Sequence, residues 1–387
     1  MKKLTKLVSV MLMTSIAASV LPSCGNLSAA PKAIKPLLIY VGYRNNSTAS
    51  KYVEYSDEDL QKLCDIGVTE VCINFGNAPA AYIPDGETEP KQIVTEDDIN
   101  NITLEMIGTT SSETLKTVKS DYIKKIKGLD KKLLIEDYAD FAIELAERLV
   151  KINPDIEIWY TFPDIFIASL AELYIEPFLH YYDRLKSGTD PKIWKKNIKG
   201  MYWAREDVPV VMYDNLNTEN LVDFDNATVK AMKACTDAAH EDGKLTFWCP
   251  YFRDNDNVAR PIGYVANQTD IFDYVILQPG YMFDESLKEN IDIIKNATIS
   301  NAVLDDDGNP YGGEKKSNTM IGPEIEMQAE NFNGAGSKAA KERYQAYVDA
   351  YKDMLGEYSM AFYCGSRPSQ MDDTVIDFLS DFLSESK

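Results

Sequence analysis

The sequence predicts an α/β protein built as a single (β/α)8 TIM barrel with a long insertion after strand 2. Three observations carry that prediction. Short apolar runs alternate with longer helix-like segments, the pattern of βα units around a parallel sheet. Eight such runs can be counted in order. Beyond the leader there is no internal repeat and no second domain, and roughly 360 residues lie within the range of one barrel with insertions.

The N-terminus is read apart from the fold. Lys2, Lys3 and Lys6 precede an apolar stretch from Leu7 to Leu21, too short for a membrane span flanked in this way and suited to a secretory signal. Leu21-Pro-Ser-Cys24-Gly follows and resembles a bacterial lipobox, with Cys24 as the lipid-bearing residue; Pro22 departs mildly from the usual pattern. The competing reading is plain cleavage after Ser28-Ala29-Ala30. Residues 1–30 are thus expected to be leader and tether, and 36–387 the barrel. The expected location is the cell surface as an exported lipoprotein, the alternative being a secreted or periplasmic soluble protein.

The strands are predicted at Leu37–Tyr43, Glu70–Phe75, Ile156–Phe162, Ile198–Ala204, Leu245–Phe252, Tyr274–Pro279, Met320–Glu326 and Ser359–Cys364. Among the helices, Ser56-Asp-Glu-Asp59 reads as a capping box, Asn226 precedes a segment running to about Glu241, and Ser337 precedes Lys338–Met354. In that last helix Tyr344, Tyr347, Val348 and Tyr351 recur at helical spacing, which reads as a core face. Residues 76–132 are polar and rich in Thr, Asp and Lys. After strand 2 they would overlie the face where barrels carry their active sites. Asp305-Asp-Asp-Gly-Asn-Pro310 lacks calcium-loop spacing and reads as a surface turn.

Composition removes several functions. The formal net charge is −21, and it becomes −24 once Lys2, Lys3 and Lys6 leave with the leader. Such a surface repels phosphate backbones, so no nucleic-acid partner is expected. Cys64, Cys72, Cys235, Cys249 and Cys364 are scattered without CxxC spacing and read as buried free thiols rather than a disulfide framework. His180 and His240 are the only histidines, sixty residues apart, which argues against a zinc-dependent deacetylase. No GxSxG elbow serves a serine esterase, and Gly334-Ala-Gly336-Ser-Lys338 lacks the full phosphate-loop spacing. No cofactor and no metal are called for, and a monomer is expected.

Two segments carry the chemistry. Gly200-Met-Tyr-Trp-Ala-Arg-Glu206 and Gly322-Pro-Glu-Ile-Glu-Met327 read as the fourth and seventh strands, each ending in an acid. In a closed barrel those strand ends face each other across the mouth. Strand alternation places Tyr202, Ala204 and Glu206 on one face and Trp203 on the other, and sets Gly322, Glu324 and Glu326 together. Glycosidic cleavage requires a protonated carboxyl to donate to the leaving oxygen and an ionised one to attack carbon or activate water. Glu206 is the candidate acid/base and Glu326 the candidate nucleophile, with Glu324, one layer down, as substrate contact or structural partner. Tyr40, Tyr43, Tyr160, Trp203, Trp248, Tyr251, Tyr281 and Tyr363 fall near strand ends, where flat rings can stack on a sugar. Tyr202, Asp164 and Gln278 are added as companions in the site.

These motifs, with Phe-Trp-Cys-Pro-Tyr-Phe252, Leu-Gln-Pro-Gly-Tyr-Met-Phe283 and Phe-Tyr-Cys-Gly365, form an ordered series over residues 36–383. The series resembles a family of secreted bacterial proteins, classed as a domain of unknown function, whose barrels are glycoside-hydrolase-like. The resemblance implies the barrel, an exported location and a carbohydrate substrate. Gly280 stands where that family has Asn, and Arg205 where the large clan of retaining barrel glycosidases has the Asn before its acid. The expected function is therefore a cell-surface glycoside hydrolase acting on a poly- or oligosaccharide. The alternative is a non-catalytic glycan-binding surface lipoprotein on the same scaffold.

Overall fold

The computed structural model describes residues 32–41, 55–75, 81–82, 91–92, 135–165, 171–172, 174–208, 227–332, 336–365 and 373–384. The leader, Cys24, Tyr43 and the first two residues of the Gly334–Lys338 segment lie outside the described residues. So does the predicted insertion, apart from two short paired strands, Ala81–Tyr82 and Lys91–Gln92.

Eight parallel strands close into a barrel: β1 (Leu37–Tyr40), β2 (Glu70–Asn74), β3 (Glu157–Phe162), β4 (Ile198–Trp203), β5 (Leu245–Trp248), β6 (Tyr274–Leu277), β7 (Met320–Glu326) and β8 (Ala361–Tyr363). Neighbours in sequence are neighbours in space, and β8 closes on β1 through Leu37↔Phe362 and Leu38↔Tyr363. The predicted strands overlap these throughout. Those predicted to run on past Trp248 and Leu277 end sooner, because the chain there turns into the loops at the mouth, and residues 42 and 43 of the first predicted strand lie outside the described residues.

Helices α1 (Asp57–Asp65), α2 (Ile135–Ile152), α3 (Ile175–Gly188), α4 (Pro191–Lys196), α5 (Ala227–Glu241), α6 (Asp256–Gln268), α7 (Asn290–Ser300), α8 (Ser337–Tyr351) and α9 (Asp373–Leu383) surround the sheet. The Ser56–Asp59 capping box is present in both directions. Helix α8 starts without a side-chain cap, since Gly336 rather than Ser337 occupies that position. The Asp305 turn closes on itself, with Asp305 Oδ1 accepting from the backbone N–H groups of Asp307 and Asn309.

The core has two compartments. Leu38, Cys72, Trp159, Tyr202, Phe247, Tyr274 and Ile276 fill the barrel interior, with Trp159 and Phe247 centroids 4.8 Å apart. A larger apolar layer packs the outer strand faces against the helices. Two inward-facing glycines make the interior possible. A Cβ on Gly200 would lie 2.6 Å from the Trp159 ring and 1.9 Å from the Leu245 carbonyl oxygen. Cys72, Cys235, Cys249 and Cys364 are buried free thiols, and Cys64 is half-buried.

Candidate active site

The candidate site is the mouth at the C-terminal ends of the strands. Past β4 the chain stays extended through Glu206: Ala204 donates to the Phe162 carbonyl (3.1 Å), and the Glu206 carbonyl accepts from the Tyr251 N–H (2.8 Å). Glu206 is thereby fixed by a backbone bond to the loop after β5. Its carboxylate accepts from the Gln278 side-chain amide, whose Nε2 also donates to the Cys249 carbonyl at 2.9 Å. Burial raises the Glu206 pKa and Asp207 adds to the effect, while the Gln278 bond and Arg205 oppose it.

Arg205, the residue before the acid, turns aside. It donates to the Ile165 carbonyl (2.8 Å) and to Asp207, and lies 3.6 Å from Asp164. Burial lifts the Asp164 pKa to about 7 against the pull of Arg205, and Asp207 and Glu206 push it the same way. Its Oδ1 is buried without a hydrogen-bond partner.

On β7 both glutamates point inward, as alternation requires, and both are almost wholly buried, at 3% (Glu324) and 2% (Glu326) exposure. Glu326 is tied to the loop after β6. Its Oε1 accepts from the Gly280 N–H (3.0 Å), its Oε2 from the Tyr347 hydroxyl, and the Met282 N–H also donates. Burial lifts its pKa to about 7, those three donors oppose the rise, and Glu206 contributes to it. Glu324 is deeper. Burial, then Glu326 and Glu206, hold its pKa well above the ordinary carboxylate range. The phenols of Tyr40 and Tyr363 feel both Glu324 and Glu206, and their rings meet edge to face at 5.5 Å.

Three residues predicted to contact a sugar are placed elsewhere. Tyr160 and Trp203 face α3 and its surroundings: the Tyr160 hydroxyl pairs with Thr189 (3.0 Å), and Trp203 packs on Phe178 (6.1 Å). Trp248 stacks on Phe272 (5.6 Å) and its Nε1 donates to the Arg205 carbonyl. All three have odd parity on their strands relative to the inward set, so they turn to the helices. Tyr281 is mostly buried, with the Arg343 guanidinium 5.7 Å from its ring centroid. Tyr202 stacks on Phe247 (4.6 Å) and forms the floor. Tyr251 stays at the mouth, with Arg253 stacked over it at 4.0 Å.

The sequence reading missed Tyr347, Arg253, Phe283 and the Gly280 N–H. Tyr347 belongs to the core face recognised on α8, yet its hydroxyl holds Glu326. Gly280 has φ +71°, and a Cβ there would come within 2.9 Å of both Arg253 Nη1 and Leu287. A glycine therefore lets the β6 loop pass under Arg253 while presenting its N–H to the carboxylate. Among the described residues no group of three or more His, Cys, Asp or Glu is arranged to hold a metal ion.

These raised carboxyls set the sign of a pH effect. Each binds its proton more tightly in the fold than in the unfolded chain, so stability falls as pH climbs from the ordinary carboxylate range through about 7. Carboxylates that favour the fold when ionised, such as Asp242 and Asp373, titrate below this window. The melting temperature is expected to be a few degrees higher at pH 5 than at pH 8. An equal or higher value at pH 8 in scanning calorimetry would contradict the burial of these groups.

No family model matches the chain, and no curated protein matches it. Among solved structures it is similar to a family 5 glycoside hydrolase lichenase from a Caldicellulosiruptor species in complex with cellotetraose, at 9% identity and TM-score 0.46, covering 91% of this chain and 93% of that one. It is also similar to a family 113 β-1,4-mannanase, at 10% identity and TM-score 0.44, covering 92% and 100%. A third is the homocysteine methyltransferase of Escherichia coli, at 8% identity and TM-score 0.35, covering 84% and 83%.

Proposed function

We propose that this chain is a glycoside hydrolase acting on a poly- or oligosaccharide, with Glu206 as acid/base and Glu326 as its carboxylate partner. The observation that carries the reading is the meeting of Glu206 with Glu324 and Glu326 at the barrel mouth. Glu326 and Glu206 both raise the proton affinity of Glu324, Glu206 raises that of Glu326, and the group lies among phenol rings. Glu206 is the more exposed, and burial keeps it protonated above the ordinary range, as a donor to a glycosidic oxygen must be. Glu326 receives charge-assisted bonds from Tyr347, Gly280 and Met282, which favour its ionised form and fix its direction.

In the reaction the Glu206 proton passes to the leaving oxygen as the carbon–oxygen bond breaks. The Glu326 carboxylate then bonds to the anomeric carbon, or water activated by it does. In the first case water cleaves the resulting ester, with Glu206 taking the water's proton. Arg205 in place of Asn removes an amide contact to the sugar's 2-hydroxyl, so the stereochemical outcome is a measurement: NMR of the first-formed anomer distinguishes retention from inversion.

The test is release of reducing ends from a panel of β-glucan, mannan, xylan and galactan oligosaccharides by the wild type and by the Glu206→Gln and Glu326→Gln variants. One observation favours a second reading, a glycan-binding barrel without turnover: both Glu326 oxygens are already engaged and the side chain is 2% exposed. Binding that survives both substitutions, with no sugar released by the wild type, would establish that reading instead.

Tyr347→Phe removes one donor to Glu326. The carboxyl is then expected to titrate higher than about 7, and the acidic limb of the pH dependence of kcat/KM to move to higher pH. An unmoved limb would separate Glu326 from catalysis. For location, the lipobox-like segment around Cys24 supports a lipid-anchored protein at the cell surface. Metabolic labelling with an alkyne fatty acid, lost in Cys24→Ala, tests it.

A further inference from the structure

We propose that Phe283 is a stacking platform for a pyranose ring, forming a sugar subsite next to the carboxyl cluster; this rests on the carbohydrate reading above. Phe283 and Ile299 are the exposed large hydrophobic residues among the described ones, at 50% and 56%, and Ile299 sits near the end of α7. Phe283 instead belongs to the loop that holds Glu326. Its ring meets Tyr363 edge to face at 6.0 Å, and Tyr363 meets Tyr40 at 5.5 Å. A line of three rings therefore runs from the carboxyls out to solvent.

The loop does not leave this ring exposed for lack of structure. Gly280 N–H is bonded to Glu326 (3.0 Å), and Phe283 and Asp284 N–H both close on the Gly280 carbonyl (3.1 and 3.0 Å). The Met282 N–H donates to the Tyr347 hydroxyl (3.2 Å), and its carbonyl accepts from Arg343 (3.0 Å). An apolar ring on a backbone pinned on both sides is preorganised, so it loses little freedom on binding. Phenylalanine offers no polar handle, so what it recognises is the apolar C–H face of a pyranose ring.

The test uses the full chain in the Glu206→Gln background, so that binding is read without turnover. Its probes are cellohexaose, mannohexaose and xylohexaose, measured by isothermal titration calorimetry. Phe283→Ala is expected to weaken whichever probe binds by about tenfold, and Phe283→Trp to restore or tighten it. The melting temperature should be unchanged, since the ring is half in solvent. If a probe binds and Phe283→Ala leaves its affinity unchanged, the platform is overturned while the carbohydrate reading stands. If none of the three binds, nor any sugar of the hydrolysis panel, the carbohydrate reading falls and the platform with it.

Discussion

Glu206→Gln is expected to lower kcat/KM by about 10²–10⁴-fold, the usual contribution of a positioned acid/base, while leaving the fold and sugar affinity in place. The substitution is a clean one. Glu206 is held by its backbone bond to Tyr251, and its side chain accepts from Gln278, a bond that the oxygen of glutamine can still accept. Its removal also relieves Asp164, Glu324 and the tyrosines of a neighbouring negative charge, so no new unpaired group is created. Glu326→Gln is a less clean test. Gly280, Met282 and Tyr347 all donate to that carboxylate, and a glutamine NH2 would be turned toward at least one of them. Loss of turnover in Glu206→Gln with an unchanged melting temperature assigns chemistry to the mouth. Retained turnover would remove Glu206 from the mechanism, and Glu324→Gln would then be the variant to examine.

Gly322→Ala is expected to cost the fold about 3 kcal/mol or more, the upper range of overpacking, and to leave little soluble protein at 37 °C. A Cβ built at Gly322 lies 1.8 Å from the Ser359 carbonyl oxygen and 3.0 Å from Ile276. The nearest atom is backbone, so no rotamer change relieves the contact. The strands β7 and β8 would have to separate, and their register, Glu324↔Ala361 and Glu326↔Tyr363, is what aims both glutamates at the mouth. Gly308→Ala is a useful contrast, because a Cβ there meets nothing within 4 Å and only the left-handed φ of +78° opposes it. A Gly322→Ala protein that melts within a degree or two of the wild type would show that the sheet can open there at little cost.

Much of the fold was legible because its causes are local. Runs of apolar residues flanked by helix signals mark βα units. The capping box at Ser56, the α5 boundary after Asn226 and the inward parity of Glu206, Glu324 and Glu326 all follow from spacing alone. The same rule of alternation, applied to Trp203, already turned it toward the helices. Tyr160 and Trp248 went the same way, and proximity to a strand end was a poorer guide than parity.

The sequence by itself thus determined the barrel, the order of its strands and the two strand ends that carry acids, because periodicity and caps act within a few residues. Only the tertiary structure decided what each acid does electrically. Burial at the mouth, Tyr347 reaching in from α8 and the Gly280 loop folding over from β6 depend on groups up to 46 residues from Glu326 in the chain. A pKa is a property of surroundings, and those surroundings exist only once the barrel has closed.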